Sequence, residues 1–133
     1  GCFDLLHAGH IKYLYESSKY GDIFIIGCNS DESVRQLKGN DRPIQTEKDR
    51  ALILSALECV SFVSIFEEKE AVNFLQTVQP DFYIKGGDYT LDSMDRKEKE
   101  AVTTHGGKIV LASMLQGKSS SSIISKIRHK NER

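Results

Sequence analysis

Net charge is almost missing from this chain, long apolar runs are missing altogether, and cysteine and histidine are sparse. With 18 Lys and Arg against 19 Asp and Glu, the formal net charge is -1. No global basic field is there to recruit nucleic acid or an acidic membrane surface. No apolar run approaches the roughly 20 residues of a bilayer span, and no signal-peptide pattern is present. The cysteines Cys2, Cys28 and Cys59 are odd in number and share no metal or redox spacing. Cys28 and Cys59 lie in or beside apolar runs, where a thiol behaves as a small hydrophobe. Reduced, structural cysteines in a cytoplasmic protein are therefore expected. Four histidines without an H-E-x-x-H, or further ligands at short spacing, give zinc patterns no support.

What is present is an alternation of helical patterns and short apolar runs over 133 residues, the length of one domain spanning 1–133. Helices are predicted over 9–20, with Ile11, Leu14 and Tyr15 on one face, and over 32–38, 46–57, 69–78, 91–105 and 119–128. Strands are predicted over 22–28, 60–66, 81–85 and 108–112. Strands joined by helices of this length imply an α/β fold with a doubly wound parallel sheet, whose ligands bind beyond the carboxyl ends of the strands. Residues 1–4 read as a loop leaving a first strand that lies upstream of residue 1. The abrupt start without methionine is read as that of a fragment.

Four places carry chemistry. His7 and His10, at spacing i, i+3, share one side of a first helical turn, where free N–H groups and the helix dipole favour an anion. Taken alone, the pair is also compatible with half a metal site or two unrelated surface residues. Ser119-Ser120-Ser121-Ser122 opens the last helix behind Gly117-Lys118. A serine run is often only a good cap or a linker, and a P-loop is excluded because Ala112 stands where it needs glycine. Lys38 and Arg42 share a loop and Arg50 lies in the next helix. Each alone is commonly a solvated charge; together they could supply positive charge to a phosphoryl group. Lys85-Gly86-Gly87-Asp88-Tyr89 follows a strand directly, either as an ordinary glycine turn or as backbone that lets a nucleotide approach.

The string Gly1-Cys2-Phe3-Asp4-Leu5-Leu6-His7-Ala8-Gly9-His10 resembles the G-x-F-D-x-x-H-x-G-H signature of the cytidylyltransferase-like nucleotidyltransferases, at every fixed position. The resemblance implies a Rossmann-like fold in which Gly1, Phe3, Asp4 and Gly9 belong to the nucleotide site. It implies that His7 and His10 hold the phosphates, His10 chiefly in the transition state, and that Lys38 and Arg50 counter substrate charge. Lys85, Gly86, Gly87 and Asp88 would approach the nucleotide. Ser119, Ser120 and Ser121 resemble the family's S-T-T helix start, which grips the outer phosphates, with serine in place of both threonines. Leu37-Lys38-Gly39 with Arg42-Pro43-Ile44, Asp49-Arg50 and the 85–89 string narrow the resemblance to the adenylyltransferase branch. That branch acts on ATP and D-glycero-β-D-manno-heptose 1-phosphate, giving ADP-heptose and pyrophosphate for lipopolysaccharide inner-core synthesis.

Mg²⁺ is expected to travel with ATP, held mostly by phosphate oxygens and water, with Asp4 a candidate contact and the metal ligands otherwise unassigned. The implied partners are ATP and a sugar 1-phosphate, with no nucleic acid and no membrane. Superfamily relatives often dimerise, so a homodimer is compatible with the resemblance, and in some bacteria such a domain is fused behind a sugar kinase. Two alternatives stay open at this point: a CTP-dependent cytidylyltransferase acting on glycerol 3-phosphate or a related phospho-alcohol, and a non-catalytic nucleotide-binding regulatory module.

Overall fold

The computed structural model describes residues 1–86 and 91–112. Its elements run α1 (Ala8–Ser18), β1 (Ile25–Asn29), α2 (Asp31–Lys38), α3 (Glu47–Ser55), β2 (Phe62–Phe66), α4 (Val72–Val78), β3 (Phe82–Gly86), α5 (Arg96–Thr103) and β4 (Lys108–Ala112). Helices start where the chain supplies an acceptor for an orphan N–H. The side chains of Ser30, Thr46 and Asp95 accept from the backbone N–H of Ser33, Asp49 and Glu98, opening α2, α3 and α5. α4 has no such local cap and starts three residues later than the pattern predicts. The predicted helix from 119 lies outside the described residues.

All pairing is parallel: β1 with β2, Ile25 opposite Phe62, and β3 with β4, Phe82 opposite Lys108. On the edge of β1 opposite β2, Gly1 donates its N–H to Gly27 O at 2.8 Å and accepts from Asn29 N at 2.8 Å. That is the pair of bonds a parallel neighbour makes. Helices cover both faces of β1. Ile26 and Cys28 pack with Leu14 of α1 and Leu54 of α3. Gly27 faces the other way, where an added Cβ would lie 2.8 Å from the Phe74 ring of α4. The doubly wound α/β reading therefore stands, with the described strands grouped as two parallel pairs. A second cluster, Ala71, Leu75, Ala101 and Val102, joins α4 to α5.

One expectation needs refinement. The buried stripe of α1 is Gly9, His10, Leu14 and Ser17, while Ile11 and Tyr15 are exposed. His10 takes an inward position, and the 3.6-residue period then sends Leu14 and Ser17 inward after it. The thiols are free, with Cys28 fully buried in the first cluster and Cys59 packed against it, and burial pushes the Cys28 thiol up.

Candidate functional site

The first turn of α1 is built around its two imidazoles. His7 is the N-cap, in extended backbone. Its Nδ1 accepts from Gly9 N at 3.0 Å, and His10 Nδ1 accepts from His7 N at 3.3 Å. An Nδ1 that accepts carries no proton, so each neutral ring holds its hydrogen on Nε2 and presents it as a donor. The rings lie 3.9 Å apart, centroid to centroid, and Phe3 packs against His10 at 6.0 Å. Burial, then the neighbouring His7, then the charge of Lys38, push the His10 pKa down to about 4. His10 is thus a neutral Nε2–H donor at physiological pH, in a terminus whose dipole already favours an anion. Gly9 contributes its N–H to His7 and lies buried.

The loop that delivers this turn is held under tension. Phe3 and Leu5 adopt positive φ, 51° and 61°, a conformation that costs about 1 kcal/mol or more for a residue with a side chain. Between them Asp4 is buried. One of its carboxylate oxygens accepts from Arg42 Nε at 3.1 Å and Ile44 N at 2.7 Å, and the other from Gln45 N at 2.9 Å. Gln45 Oε1 in turn accepts from Leu5 N at 3.3 Å. Burial acts to raise the Asp4 pKa, but the Ile44 and Gln45 N–H groups and Arg42 outweigh it and hold the carboxyl low. Asp4 thus has a structural role in the loop. Its oxygens already serve three protein donors, and its task is to fasten residues 42–45 to the strained loop.

Arg50 is bound into the fold in a similar way. It is 1% exposed. Its guanidinium donates to the carbonyls of Gln45, Cys2 and Asn29 and pairs with Asp31 at 2.8 Å. These bonds tie the residue 2 loop to the end of β1 and the start of α2. Arg50 thereby holds the walls of the site in place. Lys38 ends α2, and Gly39 turns the chain at φ 102°, a left-handed value that glycine tolerates best. Arg42 N closes the turn onto Gly39 O. Lys38, the last residue of α2, stands just before the segment that Asp4 anchors, and its charge acts on His10.

On the other strand pair, Lys85 of β3 pairs with Glu98 of α5 at 3.4 Å. The second oxygen of Glu98 accepts from Ala71 N at 2.9 Å, the missing cap of α4. On the side of Gly86 where a side chain would stand lies Tyr13. An added Cβ would lie 2.9 Å from the Tyr13 ring, whose hydroxyl donates to Ile84 O at 3.1 Å. Burial pushes the Tyr13 phenol up to about 12. Gly87, Asp88, Ser119, Ser120 and Ser121 lie outside the described residues. The structure thus gathers Gly1, Phe3, Asp4, His7, Gly9, His10 and Lys38 around one loop and helix tip.

Sequence reasoning missed Gln45 and Glu98. Glu98 left a signal: it stands three and four residues before Ala101 and Val102, on the apolar stripe of its helix, where an acid needs a partner. Gln45 left none. Among the described residues, no cluster of three His, Cys, Asp or Glu could hold a metal ion, and no helix is long and apolar enough to cross a membrane.

Comparison with known proteins gives the family of the chain. A family model described as cytidylyltransferase-like matches residues 1–128. The bifunctional protein HldE of Geotalea uraniireducens (strain Rf4) is 49% identical over 128 residues, which cover 96% of this chain and 26% of that protein. HldE of Geobacter sulfurreducens is 45% identical over 127 residues, again 96% and 26%. The chain thus spans about a quarter of the length of the curated relatives it matches. A crystal structure of the lipopolysaccharide core biosynthesis protein from Thermoplasma volcanium GSS1 superposes with a TM-score of 0.67 at 29% identity, covering 86% of this chain and 91% of that one.

Proposed function

We propose that this chain, which belongs to the cytidylyltransferase-like family, transfers the adenylyl group of ATP to D-glycero-β-D-manno-heptose 1-phosphate. The products are ADP-heptose and pyrophosphate, made in the cytoplasm for the lipopolysaccharide inner core. The observation that carries this reading is the tautomer of the two histidines. Both Nδ1 atoms accept from backbone N–H groups of the first turn, which makes Nε2–H the donor that each ring can offer a phosphate oxygen. The similarity to bifunctional HldE proteins supports the choice of substrates and a sugar kinase as fused or partner domain. A homodimer is part of the proposal on family grounds alone.

In this mechanism a phosphate oxygen of the sugar 1-phosphate attacks the α-phosphorus of ATP in line. The bond from that phosphorus to the oxygen bridging the β-phosphate breaks, and pyrophosphate leaves with the electron pair. No enzyme nucleophile is needed, so catalysis is positioning and charge stabilisation. His7 and His10 donate to the phosphates, His10 most strongly as charge gathers on the α-phosphoryl oxygens. Lys38 adds a positive charge beside them. Lys85, Gly87, Asp88 and Ser119, Ser120 and Ser121 are proposed to complete the nucleotide site. Mg²⁺ enters as part of the ATP complex, bound by phosphate oxygens and water.

The full-length protein is expected to release pyrophosphate with ATP and heptose 1-phosphate much faster than with CTP and glycerol 3-phosphate. A preference for the CTP pair would make it a cytidylyltransferase. Nucleotide binding without pyrophosphate release would make it a regulatory module.

A further inference from the structure

We infer that Arg42 is a substrate-binding residue whose Nη2 donates to a phosphoryl oxygen, with Asp4 as the positioning residue that aims it. The inference deepens the nucleotidyl-transfer reading and rests on it. Arg42 is 8% exposed. Its ion pair among the described residues runs from Nε to one oxygen of Asp4 at 3.1 Å. An Arg–carboxylate pair ordinarily closes as a fork, with Nε and Nη2 donating to the two oxygens side by side. Here the second Asp4 oxygen accepts from Gln45 N instead, and Nη2 is buried with no hydrogen-bond partner among the described residues. A buried guanidinium donor left open in this way is satisfied by an anionic oxygen, and the surroundings supply the context for one. The turn that carries Arg42 also carries Lys38, whose charge reaches His10. Asp4 lies three residues before His7 in the strained loop.

The contrast with Arg50 sharpens the assignment. Both arginines are buried, both follow α2, and both reach back to residues 2–4. Arg50 has a partner for Nε, Nη1 and Nη2, whereas Arg42 keeps one nitrogen in hand. A phosphoryl oxygen is common to ATP and to the sugar 1-phosphate, so the test carries one arm for each.

Titration calorimetry of the full-length protein with ATP, and separately with heptose 1-phosphate, is the experiment. Arg42→Lys keeps the charge but loses the fork. It is expected to weaken one of the two ligands tenfold or more, and the weakened ligand identifies the phosphate held. In Arg42→Ala, added guanidinium ion is expected to restore part of that affinity. Affinities within twofold of wild type for both ligands in folded Arg42→Lys overturn the inference, as do equal losses for both ligands with no guanidinium rescue. A reading that needs no variant is the ¹⁵N resonance of the Arg42 guanidinium in the wild type, expected to shift on saturation with the assigned ligand; no shift with either ligand overturns the inference. Wild-type protein that binds neither ligand removes the nucleotidyl-transfer reading itself, a result distinct from a null effect of Arg42.

Discussion

His10 is neutral because burial, the adjacent ring and Lys38 all disfavour its charge, and this has a measurable consequence for stability. The unfolded chain takes up the proton near pH 6.5 and the folded chain only near 4. Between those values the unfolded state binds more protons, so stability rises with pH across that window and is lost as pH falls through it. Urea unfolding of wild type and His10→Asn at about pH 7 and about pH 5 checks this: the wild type is expected to lose more stability than the variant. Parallel losses would mean that the ring is not held neutral. Asp4 offers a second check. Asp4→Asn turns an acceptor of three bonds into a group with a donor facing donors, and is expected to cost about 3 kcal/mol. Thermal unfolding should show that loss while the Mg²⁺ concentration for half-maximal turnover stays put; the opposite pattern would restore a metal role to Asp4.

Among the elements, α1 was the most legible in the sequence and also the most instructive where legibility failed. The i, i+3 spacing of His7 and His10 placed both rings on one turn, and Ser30 and Thr46 marked the starts of α2 and α3. Which face of α1 turns inward was not legible, because an inward His10 carries no hydropathy signal to set against Ile11 and Tyr15. Gly86 shows the same limit, since a glycine after a strand reads alike whether a nucleotide or a tyrosine fills the space. The Tyr13 ring 2.9 Å from the position of its missing Cβ makes a test of packing between α1 and β3. Gly86→Ala is expected to destabilise by about 1–3 kcal/mol, and by much less in a Tyr13→Ala background, as measured by a double-mutant cycle in urea. Additive effects would show that the two do not press on each other.

For the whole molecule, the α/β order was legible because apolar runs of strand length alternate with capped helical patterns, and that alternation fixes a parallel sheet covered on both faces. The contacts that hold the site are of another kind. Asp4 with Arg42, Arg50 with Cys2 and Asn29, and Lys85 with Glu98 join residues from 13 to 48 positions apart. Spacing along a chain says nothing about charge pairs at that range, so the partners that hold Arg50 were not legible.

The central claim is that a neutral Nε2–H of His10 stabilises charge at the reacting phosphorus. His10→Asn tests it most directly, because the amide oxygen can still accept from His7 N while the outer donor is gone. With ATP and heptose 1-phosphate both saturating, pyrophosphate release by the folded variant is expected to fall about 10²-fold or more. A kcat near that of the wild type would contradict the claim.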